Sequence, residues 1–238
     1  MKKLTAMLLL VCALLALVGC PSGETPEIPT GEIVYRPSRM VVRVKAEGST
    51  DYVSTETSYK YDGTGRLLSE DDGHTRTVHH YDAEGRLVKS VLSSYGMPDR
   101  EHTYVYNDAG QLLQKTADGV TTTYEYDSAG NCLRELRGTE ETTYRYDSGR
   151  VKEKKRVLYG GEETTLYTYT AAGMPLSATM TYVSREGFTT TGITTYVYDE
   201  DGNLLESETI IISPGGEGFL PPEERIVEYF DYIAYEAS

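Results

Sequence analysis

After residue 31 the chain alternates polar and apolar positions with a period of two, in short runs broken by Gly, Asp and Asn. In Thr121-Thr122-Thr123-Tyr124-Glu125-Tyr126, Thr122, Tyr124 and Tyr126 face one way and Thr121, Thr123 and Glu125 the other. No stretch in this region carries a helical period. The pattern predicts an all-β fold: a repeat-built antiparallel meander of hairpins with roughly 14 to 16 strands. Met40 to Lys45 reads as the opening strand and Arg225 to Tyr235 as the closing one.

One unit recurs, Tyr-x-Tyr-Asp-x-x-Gly-Arg/Asn-Leu. Its second tyrosine falls at Tyr61, Tyr81, Tyr106, Tyr126, Tyr146, Tyr169 and Tyr198. The turn positions are Asp62 with Gly65, Asp82 with Gly85, Gly110, Asp127 with Gly130, Asp147 with Gly149, and Asp199 with Gly202. The Asp147 copy is one residue short, and the copy from Tyr167 to Pro175 is degenerate. In each full unit Asp opens a type I turn, and its carboxylate accepts from the backbone two residues on. Gly then supplies a positive φ, and a bulge closes the hairpin. That geometry sets Tyr61 opposite Leu67, so Tyr59, Tyr61 and Leu67 share a face. Leu68, Leu113, Leu133 and Leu205 lie on the other face. Asp72-Gly73, Asp118-Gly119 and Gly160-Gly161 turn the opposite ends. The segments 184–192 and 213–222 are the longest insertions and carry Phe188 and Phe219. So wide a sheet twists and curls to cover its tyrosine face, as a half-pipe or a barrel; alternation does not choose between them.

The motif resembles the YD repeat, also called the RHS repeat, of bacterial cell-surface and toxin proteins, over about residues 52–205. The resemblance implies hairpins joined edge to edge into a long curving sheet. In toxin members many tens of strands wrap a cargo that a self-cleaving segment releases. This chain ends after its repeats, so toxin function does not carry over.

The N-terminus is an address. Lys2 and Lys3 precede an apolar run from Leu8 to Val18, too short for a comfortable membrane span. It closes on Leu17-Val18-Gly19-Cys20, which resembles the lipobox of bacterial lipoproteins. That implies a diacylglycerol on the Cys20 thiol and cleavage before it. The expected organisation is a signal peptide at 1–19, lipidated Cys20 and a flexible Pro/Gly/Glu-rich tether at 20–31, and a repeat domain at 32–238. The expected location is the bacterial cell envelope, lipid-anchored and extracytoplasmic. Cys12 leaves with the signal, so Cys132, in the slot of Leu67, is expected to be a buried small hydrophobe outside any disulfide.

Composition narrows the partners. The formal charge is −14, which argues against nucleic acid and against electrostatic docking on anionic lipid. Among the aromatics there are 21 Tyr, 3 Phe and no Trp, so the repeat, rather than apolarity alone, selects tyrosine. No Ser-His-Asp set, GxSxG, HExxH or phosphate loop is present. His79 and His80 are adjacent on a strand and point to opposite faces. The Asp199 to Asn203 segment is explained by the repeat turn rather than by a calcium loop. The expectation is therefore a non-enzymatic protein with no cofactor and no metal. It binds a polysaccharide or an envelope protein, with Tyr104, Tyr106, Tyr124, Tyr126, Tyr144 and Tyr146 as candidate binding residues. The alternative is a structural spacer or accessory subunit whose sheet edge joins another β protein. A glycan binder exposes several tyrosines in a groove; a spacer buries them and leaves a strand edge unpaired.

Overall fold

The computed structural model describes residues 33–45, 52–212 and 223–236. The first eight strands are β1 (Ile33–Lys45), β2 (Val53–Tyr61), β3 (Leu67–Asp71), β4 (Thr75–Tyr81), β5 (Leu87–Ser94), β6 (Arg100–Tyr106), β7 (Leu112–Ala117) and β8 (Val120–Tyr126). The second eight are β9 (Cys132–Arg137), β10 (Glu140–Asp147), β11 (Arg150–Leu158), β12 (Gly161–Tyr169), β13 (Pro175–Ser184), β14 (Thr189–Tyr198), β15 (Leu204–Ile212) and β16 (Glu223–Glu236). Each pairs antiparallel with its sequence neighbours, and β1 also pairs with β16, so the meander closes into a barrel. Closure, left open by alternation, is thus made by the two strands outside the repeats. It removes every sheet edge from the described strands, so the spacer reading loses the edge it needs.

The turns form as the motif predicts. At the first, the Asp62 N–H donates to the Arg66 carbonyl at 2.9 Å and the Gly65 N–H to the Asp62 carbonyl at 3.1 Å. Gly65 has φ 79° and Gly130 has φ 87°, a region L side chains avoid. Gly85, Gly110, Gly149 and Gly202 share it. Asp62 Oδ1 accepts from the Thr64 and Arg66 amides at 2.8 and 3.0 Å, while Oδ2 takes Arg66 Nε at 2.8 Å. Burial alone would raise Asp62; these hydrogen bonds outweigh it and bring its carboxyl to about 2. Asp82 with Arg86, Asp127 with Asn131 and Asp199 with Asn203 repeat the clasp. Asp147 departs from it. With one residue missing, Ser148 and Gly149 both take positive φ, and Asp147 stays in β10 opposite Arg150. That is a two-residue hairpin turn, and the Asp147 carboxylate accepts from the Ser148 hydroxyl at 3.1 Å and pairs with Lys152 at 3.8 Å.

A second set of contacts joins one hairpin to the next. Between β3 and β4 the ladder starts at Ser69↔Val78, two residues past Leu67. The same gap follows Leu112, Cys132 and Val151. The carbonyl stranded there is taken by the second tyrosine of the following repeat. Tyr81 donates to Leu67 O at 2.7 Å, Tyr106 to Leu87 O at 2.9 Å, Tyr126 to Leu112 O at 2.8 Å, Tyr146 to Cys132 O at 2.8 Å and Tyr169 to Val151 O at 2.6 Å. Tyr61 reaches back to Pro37 O on β1 at 2.7 Å, extending the series to the closing strand. Turn arginines add to it: Arg66 stacks on the Tyr81 ring at 5.7 Å and Arg86 on Tyr106 at 5.5 Å.

Every substantial contact between described strands is between sheet neighbours. Few side chains are fully buried, the largest being Leu112, Cys132, Ser90 and Ser207. A barrel of sixteen strands is too wide for its own side chains to fill. The inner wall is therefore a half-buried tyrosine lining around a lumen. The outer wall carries mid-strand ion pairs, Arg134 with Glu125 (2.9 Å) and Glu141 (2.6 Å), and Arg39 with Glu56 (2.7 Å).

Three expectations need correction. Segment 184–192 is mostly strand, and only residues 185–188 connect β13 to β14, leaving Phe188 exposed. Cys132 is buried as expected, yet it is disulfide-bonded. Cys132 is the only cysteine among the described residues, and Cys12 and Cys20 are the others in the sequence. The opening and closing strands run longer than the sequence suggests. The insertion 213–222, the signal and the tether lie outside the described residues.

Tyr126→Phe removes one inter-hairpin hydrogen bond and strands the Leu112 carbonyl. It should cost about 1 kcal/mol, read as a fall in melting temperature of roughly 2–4 °C. An unchanged melting curve would refute the clasp.

Candidate functional site

The lumen is built in tiers. Nearest the YD turns stand the second tyrosines, whose hydroxyls are consumed by backbone carbonyls in every repeat but the last, that of Tyr198. Two residues up each strand stand the first tyrosines: Tyr59, Tyr104, Tyr124, Tyr144, Tyr167 and Tyr196, with His79 in the second repeat. Two residues further stand threonines, among them Thr122, Thr142, Thr165 and Thr194, with His102 in the third repeat. The returning strands contribute the side chain three residues after each leucine slot. Glu135 faces Tyr124, Lys154 faces Tyr144, Lys115 faces Tyr104 and Ser207 faces Tyr196. Side chains directly opposite share a face, so all of these project into the lumen.

The six tyrosines proposed from sequence therefore divide. Tyr106, Tyr126 and Tyr146 clasp the wall and present only ring area. Tyr104, Tyr124 and Tyr144 line the middle tier. Tyr144 is 6% exposed and donates to Glu135 Oε1 at 2.5 Å. Tyr104 lies 3.4 Å from Ser90 Oγ. Tyr124, Tyr167 and Tyr196 differ: their hydroxyls meet no hydrogen-bonding partner among the described residues. Tyr167 and Tyr196 were not among the candidates, nor was the threonine tier. The signal for it was present, a Thr two residues before most first tyrosines.

Burial pushes these phenols up, to about 12 for Tyr106, Tyr126 and Tyr167. Glu228 on β16 is 3% exposed and takes the Ser207 hydroxyl proton at 2.6 Å. Burial raises its pKa, and the Ser207 bond offsets this in part. His79 bridges Glu70 and Ser90, with Nε2 3.0 Å from Glu70 Oε1 and Nδ1 3.0 Å from Ser90 Oγ. The connectivity is that of a nucleophile relay, but Ser90 is 1% exposed, so no substrate reaches its Oγ. The chain ties two neighbouring hairpins together, and Tyr104, 3.4 Å from Ser90 Oγ, extends it to a third. The Asp199 carboxylate is engaged by the Asn203 amide at 2.7 Å and Nδ2 at 2.8 Å, as its repeat position requires.

The comparisons agree with this architecture. The family model described as Teneurin YD-shell matches residues 27–211. The chain belongs to the YD-shell family. Among solved structures, this YD shell is similar to a porin-like protein from Bacteroides uniformis, with TM-score 0.53 and 14% identity, covering 87% of this chain and 99% of that one. At that identity the likeness is one of fold. A second similar structure is TcdB2-TccC3-TEV, at 19% identity and TM-score 0.35, covering 71% of this chain and 10% of that one. A search of curated proteins returned no match.

The raised phenol pKa values set an alkaline limit. A tyrosine held near 12 when folded and about 10 when unfolded destabilises the fold once pH exceeds the lower value. This YD shell should hold its melting temperature below about pH 10 and lose it between about pH 10 and pH 12. Phenolate absorbance rising fully at pH 10 with the sheet intact would refute the buried assignment.

Proposed function

We propose that this YD shell is a lipid-anchored, extracytoplasmic, non-enzymatic protein that holds a glycan in its tyrosine-lined lumen. The observation that carries the reading is the set of hydroxyls on Tyr124, Tyr167 and Tyr196 that meet no hydrogen-bonding partner among the described residues, above a wall of half-buried rings. Rings stack on the C–H faces of sugars, and phenol and threonine hydroxyls exchange hydrogen bonds with sugar hydroxyls. The anchor rests on Leu17 to Cys20. β1 enters and β16 leaves at the rim of the YD turns, so a lipid on Cys20 ties down that rim.

A second reading, docking of an envelope protein, is favoured by the opposite rim. Tyr95, Met97, Tyr159 and Phe188 are exposed there at loop tips, and Arg185 stacks on Tyr159 at 4.8 Å. Interfaces are enriched in those residue types.

A glycan array with the purified chain tests the first reading. We expect one glycan class to bind, and Phe at positions 124, 167 and 196 together to abolish binding with little change in melting temperature. A blank array from folded protein would refute it and turn the search to the loop rim. The mass of the peptide containing Cys20 should show the diacylglycerol, and Cys20→Ser should release the protein from membranes. An unlipidated wild-type peptide would refute the anchor.

A further inference from the structure

Charge is spread over the outer wall of the barrel with one gap. Among the described strands only β13 and β14 carry no charged side chain, and they are neighbours in the sheet. Elsewhere the wall is laced with ion pairs, such as Lys89 with Glu101 and, next to the gap, Lys155 on β11 with Glu162 on β12 at 2.9 Å.

The gap is apolar as well as neutral. Leu166, Thr179, Ile193 and Ile210 are direct neighbours across β12 to β15. Leu166 and Ile193 stand one position from the lumenal Tyr167 and Thr194, so this row projects outward. Leu166, Leu176, Val183, Ile193 and Val197 are 41–51% exposed, with threonine and serine between them. At the rim away from the YD turns the patch runs on to Phe188, which is 67% exposed just before β14. That corner is tied down. The Arg185 N–H donates to the Gly160 carbonyl at 3.0 Å, joining the β13–β14 connection to the β11–β12 one, and the Arg185 guanidinium stacks on Tyr159 at 4.8 Å. A corner already fixed loses little freedom when it is covered.

Charge and area choose the occupant. The chain has a formal charge of −14, so a basic partner is drawn to the carboxylates elsewhere and gains nothing from a neutral face. For a second copy, with the same acidic charge, the neutral face is the favourable approach. Any other sector takes charged side chains out of water on both copies. The patch spans four strands at about 4.8 Å spacing over about 30 Å of wall, or roughly 600 Å² in projection. Side-chain relief and the Phe188 corner bring it near the roughly 800 Å² per partner of a standard interface.

We infer that β13 and β14 form the interface of a two-fold dimer, each chain laying its uncharged wall on the same wall of the other, whatever the lumen holds. The contact is isologous, with Ile193 close to the axis. With that axis along the barrel, the two lumens run side by side and both YD rims face one way, as two Cys20 anchors in one membrane require.

Sedimentation equilibrium of the purified full chain tests this. We expect twice the chain mass at about 100 µM. The dimer fraction should rise with salt, which screens the repulsion between two acidic bodies and has no interfacial ion pair to weaken. Ile193→Glu sets like charges together at the axis and should weaken association about tenfold or more, with an unchanged melting curve because Ile193 is exposed. Ile193→Lys should do the same alone. An equimolar mixture of the two variants should pair again, which unfolded variants would not. A monomeric wild type overturns the dimer and opens the face to a different partner. Association that survives Ile193→Glu, as contact through the N-terminal apolar run or the loop rim would, overturns it, and so does a dimer that salt dissolves.

Discussion

The barrel depends on a carbonyl that the sheet leaves behind. Where two YD hairpins meet, the ladder begins two residues late, and the oxygen of Leu67, Leu87, Leu112, Cys132 or Val151 faces the gap. A stranded backbone acceptor on a half-buried wall costs about as much as a lost hydrogen bond. The tyrosine of the next repeat closes it with a side chain long enough to span the gap and apolar enough to line the wall. Phenylalanine would line without bonding, and serine would bond without reaching. That accounts for an aromatic inventory made almost wholly of tyrosine. It also sets the separation between hairpins that the rest of the lumen inherits.

From this constraint comes a division of labour between two tyrosines that the sequence writes identically. The second, from Tyr61 through Tyr169, is fixed to the neighbouring strand or hairpin. The first stands one step up, where neighbouring strands are already paired and no carbonyl is stranded. Tyr124, Tyr167 and Tyr196 consequently keep their hydroxyls. In this chain the wall is made by one set of phenols and lined by another, so the lining can vary without loosening the wall. His79 and His102 in the second and third repeats show that tolerance.

Much of the hairpin was legible in the residues. Asp62, Gly65 and Leu67 specify a five-residue turn and a bulge by local chemistry, and the structure follows them. At Asp147 the missing residue, visible in the spacing, changes the turn type to a two-residue hairpin turn. Closure was not legible. It rests on β1 and β16, which carry no motif, and on a curvature summed over many hairpins. The middle tier was hidden for a different reason. Counting alternately from Val151 sends Lys154 outward, but the bulge before Tyr146 shifts the parity and turns it inward. Periodicity fails at the irregularity that makes the repeat, and the residues it misplaces are those with the most chemistry.

Closure has a consequence for the size of the enclosed space. Because the ring is complete and each repeat enters as a pair of strands, the bore changes only in steps. Gaining or losing one hairpin alters the circumference by about 10 Å, and so the diameter by roughly 3 Å. That step is smaller than the width of a single sugar ring. Duplication or deletion of a single repeat is therefore a calibre adjustment that leaves the lining of the other repeats unchanged.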